Sequence, residues 1–262
     1  MLGKVFKYDM KGMAKRLLPL YGLLIIIACL TRGMTALASK FTIFSTISGI
    51  LLFITILGMI GAFFYTFFTA VMRFYKSVMK EEGYLIHTLP IKKSTFVFSK
   101  TAVATLFMFF TIIVVLLAIL ILVKDYHVFS IMYTTIVEQF TKVGISVPGF
   151  LTYMIFMMII GFISSILFFY CSLCLGQTRS DKKLTYSIVY GLIVYMASQA
   201  FSSVILFGYM LINPSFASTT NATITPPEFY TVLGISAVLS IIYVVSYFII
   251  STQTLENKLN ME

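Results

Sequence analysis

Six long apolar stretches, separated by short polar segments, run through the chain. Each has at least the roughly 20 residues that a helix needs to cross a bilayer. They cover residues 17–38, 46–71, 101–123, 149–175, 185–212 and 229–250. Each is apolar on all sides, which indicates helices in lipid rather than amphipathic helices of a soluble domain. The pattern predicts an all-α, polytopic membrane protein with six transmembrane helices in one transmembrane domain, 1–262.

The composition agrees with burial in lipid. Of the 262 residues, 60% are hydrophobic and 11% are charged, whereas a soluble domain has about 45–50% apolar and about 25% charged residues. The net charge of +10 raises the alternative of a nucleic-acid partner. However, lysines outnumber arginines 15 to 4, and arginine is the side chain best suited to bind phosphates and bases through paired hydrogen bonds. The positions of the basic residues therefore decide between the two explanations.

The basic residues lie mainly in alternate connections between the spans. Fifteen fall in the N-terminal arm, the 72–100 loop, the 176–184 loop and the C-terminal tail, and four fall elsewhere. Because cytoplasmic loops carry an excess of lysine and arginine, both termini and the 72–100 loop are predicted to be cytoplasmic. Topology thus explains the charge, and we expect the lipid bilayer as a partner and no nucleic acid. On the outer side of the membrane, residues 124–148 are predicted to form a loop and residues 213–228 an irregular segment.

Several kinds of chemistry are missing from the sequence. There is no phosphate-binding G-x-x-x-x-G-K-[ST] motif and no H-E-x-x-H metalloprotease motif. His87 and His127 are predicted on opposite sides of the membrane, so they cannot share a metal ion. Cys171 and Cys174 have redox spacing but lie in an apolar helix, which favours packed thiols. We expect no catalytic, cofactor-binding or metal-binding residue, so the chain either does no work or receives work from a partner.

A few polar side chains interrupt the spans. Such groups often hydrogen-bond between helices, and they also suit the lining of a translocation path; the sequence leaves both interpretations open. The candidates are Gln199, Ser202, Ser164 and Ser165. In addition, the "GMIG" stretch from Gly58 to Gly61 and the following Ala62 are predicted to let helices approach closely, as a packing feature first and a dimer contact second.

The 72–100 loop has a structure of its own. Phe74 and Val78 are four residues apart and predict that the second span continues as a short amphipathic helix. Gly83 is suited to end this helix, and Ser94 is predicted to cap the third span. The apolar residues between them either fold back onto the membrane surface or form a docking knob for a soluble partner.

The motifs of this loop resemble a known family. "RFY" at 73–75, "EGYL" at 82–85, "TLP" at 88–90 and "SK" at 99–100 resemble the segment between spans 2 and 3 in ABC transporter permeases of the bacterial type-2 exporter class. The stretches "KYDMKGMAKRLLPLY" and "LENKLNME" resemble that family's amphipathic N-terminal arm and its short tail. The specific motifs cover about 45 residues, and the layout of six spans covers the whole chain.

The resemblance implies a function. The chain is expected to be the permease subunit of an ATP-driven exporter in the bacterial plasma membrane, and its arm to lie along the inner membrane surface. Its expected partners are a second permease subunit and an ATP-binding cassette subunit that holds ATP and Mg²⁺. The cytoplasmic coupling helix that docks on that subunit is expected to contain Glu81, Glu82, Gly83, Tyr84, Leu85, Leu89 and Pro90.

The cargo and a rival function follow from the same features. An interior rich in phenylalanine and methionine suits a hydrophobic or amphipathic peptide, so peptide export is expected. An intramembrane protease would need catalytic pairs inside the spans, and the sequence shows none. The alternative that stays open is a non-transporting immunity or sensor protein that binds a peptide or lipid.

Overall fold

The computed structural model describes residues 2–38, 42–79, 92–123, 127–142, 144–179, 182–213 and 226–257. These residues form helices and contain no strand. In chain order the helices are α1 (Leu2–Leu37), α2 (Thr42–Met79), α3 (Lys93–Leu122), α4 (His127–Lys142), α5 (Val147–Gly176), α6 (Lys183–Ile212) and α7 (Pro226–Asn257).

Six of these helices are long and apolar enough to cross a membrane. They coincide with the six predicted spans, so the prediction of an all-helical, multi-pass membrane protein is confirmed. Helices α2, α5 and α7 extend beyond the predicted limits at both ends, and α1, α3 and α6 at their N-terminal ends only, because flanking polar residues continue the same helices. The prediction of a loop over 124–148 was wrong, since residues 127–142 of this segment form α4.

Residues 1–128 form one compact unit, in which α1 packs against both α2 and α3 and these two also contact each other. One continuous stripe of α1 is buried, with spacings of three and four residues as expected for one helix face. It consists of Asp9, Met13, Leu17, Tyr21, Leu24, Ala28 and Thr31. Its central part meets Met59 and Ala62 of α2 and Ala118 of α3.

The N-terminal arm and the first span are parts of this one helix. Lys7, Lys11 and Lys15 are exposed on one side of the arm, and the buried stripe runs along another side. Pro19 lies inside the helix, where it removes one backbone hydrogen bond. The buried side of the arm thus faces protein, and the amphipathic arm that the resemblance implies stays a prediction. Its place on the membrane surface stays a prediction.

Residues 129–262 form the second compact unit, in which α5 packs against α6 and α7. Helices α5 and α6 approach closely at Gly176, where an added Cβ would come within 2.6 Å of the Ser187 backbone. Cys171 and Cys174 are buried, free thiols of α5, as the sequence indicated. Small residues thus set the spacing of α5 and α6.

One local prediction was wrong, and a second holds in part. Helix α3 begins at Lys93 with Lys92 as its N-cap, so Ser94 lies inside the first turn and does not cap it. In "GMIG", an added Cβ on Gly58 or Gly61 would meet nothing within 4 Å. Gly58 lines a space beside Leu20 and Leu24 of α1, whereas Ala62, which belongs to the same prediction, is buried in the core as expected. A dimer contact of the two glycines stays a prediction.

Candidate functional site

A buried cluster of charged side chains joins the three helices of the first unit. The Asp9 carboxylate of α1 accepts hydrogen bonds through Oδ1 from Arg73 Nη2 of α2 at 3.0 Å and from Lys100 Nζ of α3 at 3.1 Å. Asp9 is 4% exposed and Lys100 is 9% exposed. We call Asp9, Arg73 and Lys100 the charged cluster.

The local sequence places each member where it can reach the others. Asp9 begins the buried stripe of α1, four residues before Met13. Gly12 leaves room for the arginine, because a Cβ there would lie 2.6 Å from Arg73 Cζ. On α3, the Lys100 ammonium lies 5.0 Å from the centre of the Phe96 ring, which adds a cation–π contact.

The charged cluster carries more positive than negative charge. Two cations share a single carboxylate, so its net charge is +1. Burial makes each charge costly unless it is paired, and a shared carboxylate offsets part of this cost for both cations. Asp9 Oδ2 is buried and has no hydrogen-bond partner among the described residues. Removing Asp9 would therefore leave two cations without an anion, whereas removing either cation would leave a neutral pair.

The charged cluster lies at the base of the segment that connects α2 to α3. Arg73 is six residues before the end of α2 at Met79, and Lys100 is seven residues after the start of α3 at Lys93. Asp9 therefore ties α1 to both helices that carry this segment. The C-terminal end of α2 and the N-terminal end of α3 are thus both linked to the arm of α1 through a single carboxylate.

Aromatic packing strengthens the same region. Phe74 and Val78, the predicted apolar face at the end of α2, are buried. The Phe74 ring lies 6.2 Å from the Phe96 ring of α3. The prediction that the second span continues as an amphipathic helix is confirmed as far as Met79, and the face that it buries packs on α3.

The predicted docking residues lie on the connecting segment itself. They are Glu81, Glu82, Gly83, Tyr84, Leu85, Leu89 and Pro90. All of them fall within 80–91, outside the described residues. Their contact with a partner stays a prediction, and what the structure describes is the pair of helices from which they extend.

A second polar layer lies deeper in the first unit. Tyr21 Oη is 2.6 Å from Thr111 Oγ1 of α3 and 3.4 Å from Thr66 Oγ1 of α2, and the two threonines are 2.9 Å apart. Tyr21 is 12 residues after Asp9, which is about 18 Å along a helix. The same three helices are thus joined by hydrogen bonds at two depths.

The predicted polar residues of the second unit do not form one site. Ser202 hydrogen-bonds to Tyr243 of α7, whose hydroxyl also donates to the Ser198 carbonyl at 2.8 Å. Ser202 therefore contacts another helix. Gln199 is exposed on α6. Ser164 is half-buried and Ser165 is exposed, its hydroxyl donating to the Gly161 carbonyl of its own helix.

The turn after α5 carries one cation with defined contacts. Arg179 lies 5.8 Å from the centre of the Tyr186 ring. A hydrogen bond with the Tyr190 side chain raises the pKa of Arg179 above its usual value. Arg179 therefore keeps its charge, and the cytoplasmic location of this turn stays a prediction.

Sequence reasoning missed the charged cluster. It took Arg73 and Lys100 as topology markers and did not single out Asp9. One signal was present: Asp9 is the only acidic residue among the basic residues of the arm, and it lies four and eight residues before Met13 and Leu17 on the apolar side. The pairing itself depends on how three helices align.

Within the part of the chain that the structure describes, no three His, Cys, Asp or Glu side chains are placed to hold a metal ion. No protein-family model, curated protein or solved structure matches this chain. The observations define its class as an all-helical, multi-pass membrane protein with six candidate spans.

Proposed function

We propose that this chain is the permease subunit of an ATP-driven exporter and that a separate ATP-binding subunit docks on the segment 80–91. The observation that carries the proposal is the charged cluster at the base of this segment, since it joins both flanking helices to α1 through Asp9. The motifs within 72–100 and the six apolar helices support the same assignment.

A docking segment can transmit movement to the spans only if the helix ends at its base are rigidly connected. Here the base has two kinds of contact, the charged cluster and the packing of Phe74 on Phe96. Both are buried, so solvent competes little with them. A displacement of the docking segment would therefore move the ends of α2 and α3 together with the arm of α1.

The mechanism follows from this connection. When ATP binding closes a pair of partner subunits, each docking segment moves with its subunit, and the first three helices follow it as one body. Two permease subunits then rock against each other and expose a path to the outside. The spans offer apolar and hydroxyl side chains to this path, so the cargo is a hydrophobic or amphipathic peptide or a similar apolar molecule.

The test co-expresses the chain with candidate ATP-binding subunits and reconstitutes them together in vesicles. We expect ATP hydrolysis that depends on this chain. Glu82→Lys and Gly83→Val should lower this hydrolysis or uncouple it from peptide export while membrane insertion is retained. Glu138→Lys, an exposed position on α4, is the matched control and should leave both unchanged.

The alternative function makes a different prediction. An immunity or sensor protein would bind a peptide or lipid without recruiting an ATP-binding subunit. If the folded chain forms no complex with any such subunit, the permease assignment is wrong. If the Glu82→Lys and Gly83→Val variants export as well as the unchanged chain, docking on the segment 80–91 is wrong.

A further inference from the structure

Helix α4 is the described helix that is too short to cross a membrane, with 16 residues. Phe129, Met132, Tyr133 and Ile136 recur at spacings of three and four residues, so they share one face. These side chains are exposed, Met132 by 55% and Tyr133 by 61%. No other described part of the chain covers this apolar face.

The opposite face of α4 is mainly polar, with Ile131 as its exposed apolar residue. Ser130, Thr134, Glu138 and Thr141 follow one another at spacings of four, four and three residues. The hydroxyls of Thr134 and Thr141 donate to carbonyls of their own helix at 3.0 Å and 2.8 Å. The helix is therefore amphipathic, and its apolar face requires a partner other than water.

The C-terminal end of α4 shows where the apolar face points. Phe140, four residues after Ile136 on the same face, lies 4.8 Å from Phe150 in the first turn of α5. Gly144, with a φ of 74°, ends α4, because its N–H donates to Thr141 O and the Ile145 N–H donates to Phe140 O. The uncovered face is thus continuous with the start of a membrane span.

The chain also keeps α4 close to the bilayer. Four residues separate it from α3 and four from α5, both of which are candidate spans. Five peptide steps reach at most about 18 Å, so neither end of α4 can move far from the ends of the spans. Few charged residues of α4 are described, so attachment of α4 to the membrane depends on its apolar face.

We propose that α4 is an interfacial helix, which lies on the membrane surface with Phe129, Met132, Tyr133 and Ile136 in the boundary between headgroups and acyl chains. Helices of this kind bury their apolar face about 5–10 Å deep. The occupant of the face is lipid, because the face is continuous with Phe150 and tethered to spans at both ends. The proposal is independent of the exporter assignment.

The absence of tryptophan from the chain provides the test. Met132→Trp introduces a single fluorophore on the apolar face, and Thr134→Trp introduces one on the polar face as the matched control. Each full-length variant is reconstituted in phosphatidylcholine vesicles, with or without bromine on the acyl chains. Quenching by bromine and by aqueous acrylamide is then measured.

The proposal expects the Met132→Trp fluorophore to be quenched several-fold more strongly by brominated lipid than the Thr134→Trp fluorophore, with acrylamide giving the reverse order. Equal and strong acrylamide quenching at both positions would show a helix in water and overturn the proposal. Protection of the Met132→Trp fluorophore from both quenchers would show a protein occupant, such as a second copy, and would also overturn it. If Met132→Trp does not fold, Ile136→Trp tests the same face.

Discussion

Asp9 is a single carboxylate that two cations from different helices share. Removing a partner from a buried ion pair is more costly than replacing the whole pair, because the remaining charge loses its compensation. Arg73 and Lys100 are both within 3.1 Å of the same oxygen, so they repel each other once that charge is lost. The charged cluster therefore makes distinct predictions for single and combined substitutions.

We expect Asp9→Asn to lower the free energy of unfolding by about 3 kcal/mol, since it leaves two buried cations without an anion. The measurement is unfolding in mixed micelles followed by circular dichroism. Lys11→Ala removes an exposed charge from the same helix and serves as the control, with an expected change within about 0.5 kcal/mol.

A combined variant separates charge from packing in the charged cluster. Asp9→Leu with Arg73→Met and Lys100→Met should recover most of the stability lost by Asp9→Asn, because apolar side chains of similar size can replace a buried ionic group. If Asp9→Asn is no more harmful than Lys11→Ala, the charged cluster does not hold the three helices together.

The hydroxyl of Tyr21 gives a second prediction for single residues. Tyr21→Phe removes the bond to Thr111 and leaves the two threonines paired with each other, so we expect a loss of about 0.6–1.7 kcal/mol, the range for such bonds between membrane helices. Tyr65→Phe, at an exposed tyrosine of α2, is the control. Equal unfolding free energies for the two variants would contradict the importance of this polar layer.

At the scale of helices, the packing within the first unit differs from the packing within the second. In the first, α1 meets α2 and α3 through polar layers with apolar packing between them. In the second, α5 and α6 approach closely at Gly176 and Gly191, where small residues face Ser187 and Ser172. Close backbone approach of this kind is a common basis for association between membrane helices.

The contact at Gly176 can be tested by adding one methyl group. Gly176→Ala places a Cβ about 2.6 Å from the Ser187 backbone, so α5 and α6 must separate, and we expect a loss of about 1–3 kcal/mol of unfolding free energy. Gly161→Ala lies on the same helix, where nothing is within 4 Å of the new atom, and should cost little. A similar cost for both variants would show that α5 and α6 do not depend on this approach.

The six spans could be predicted from the sequence because lipid selects long apolar stretches residue by residue. Helix α4 was missed although its signal was present, since Phe129, Met132, Tyr133 and Ile136 have helical spacing between two apolar stretches. The charged cluster could not be predicted in the same way. The meeting of Asp9 with two cations depends on the relative rotation of three helices, which no local pattern contains.

At the scale of the whole molecule, the central claim is that this chain receives work from an ATP-binding subunit through the segment 80–91. The polytopic fold supplies six spans, and the charged cluster joins the first three at the base of that segment. The family resemblance names Tyr84 and its neighbours as the contact. The proposal therefore requires that Tyr84 contacts the ATP-binding subunit.

Photo-cross-linking from position 84 tests this claim most directly. A photoreactive benzoyl-phenylalanine replaces Tyr84 in cells that co-express the candidate ATP-binding subunit, and the same replacement at the exposed Tyr133 of α4 is the control. The account predicts an adduct with the ATP-binding subunit from position 84 and none from position 133. An inserted, folded chain that gives no such adduct from position 84, or that gives it equally from both positions, would contradict the account.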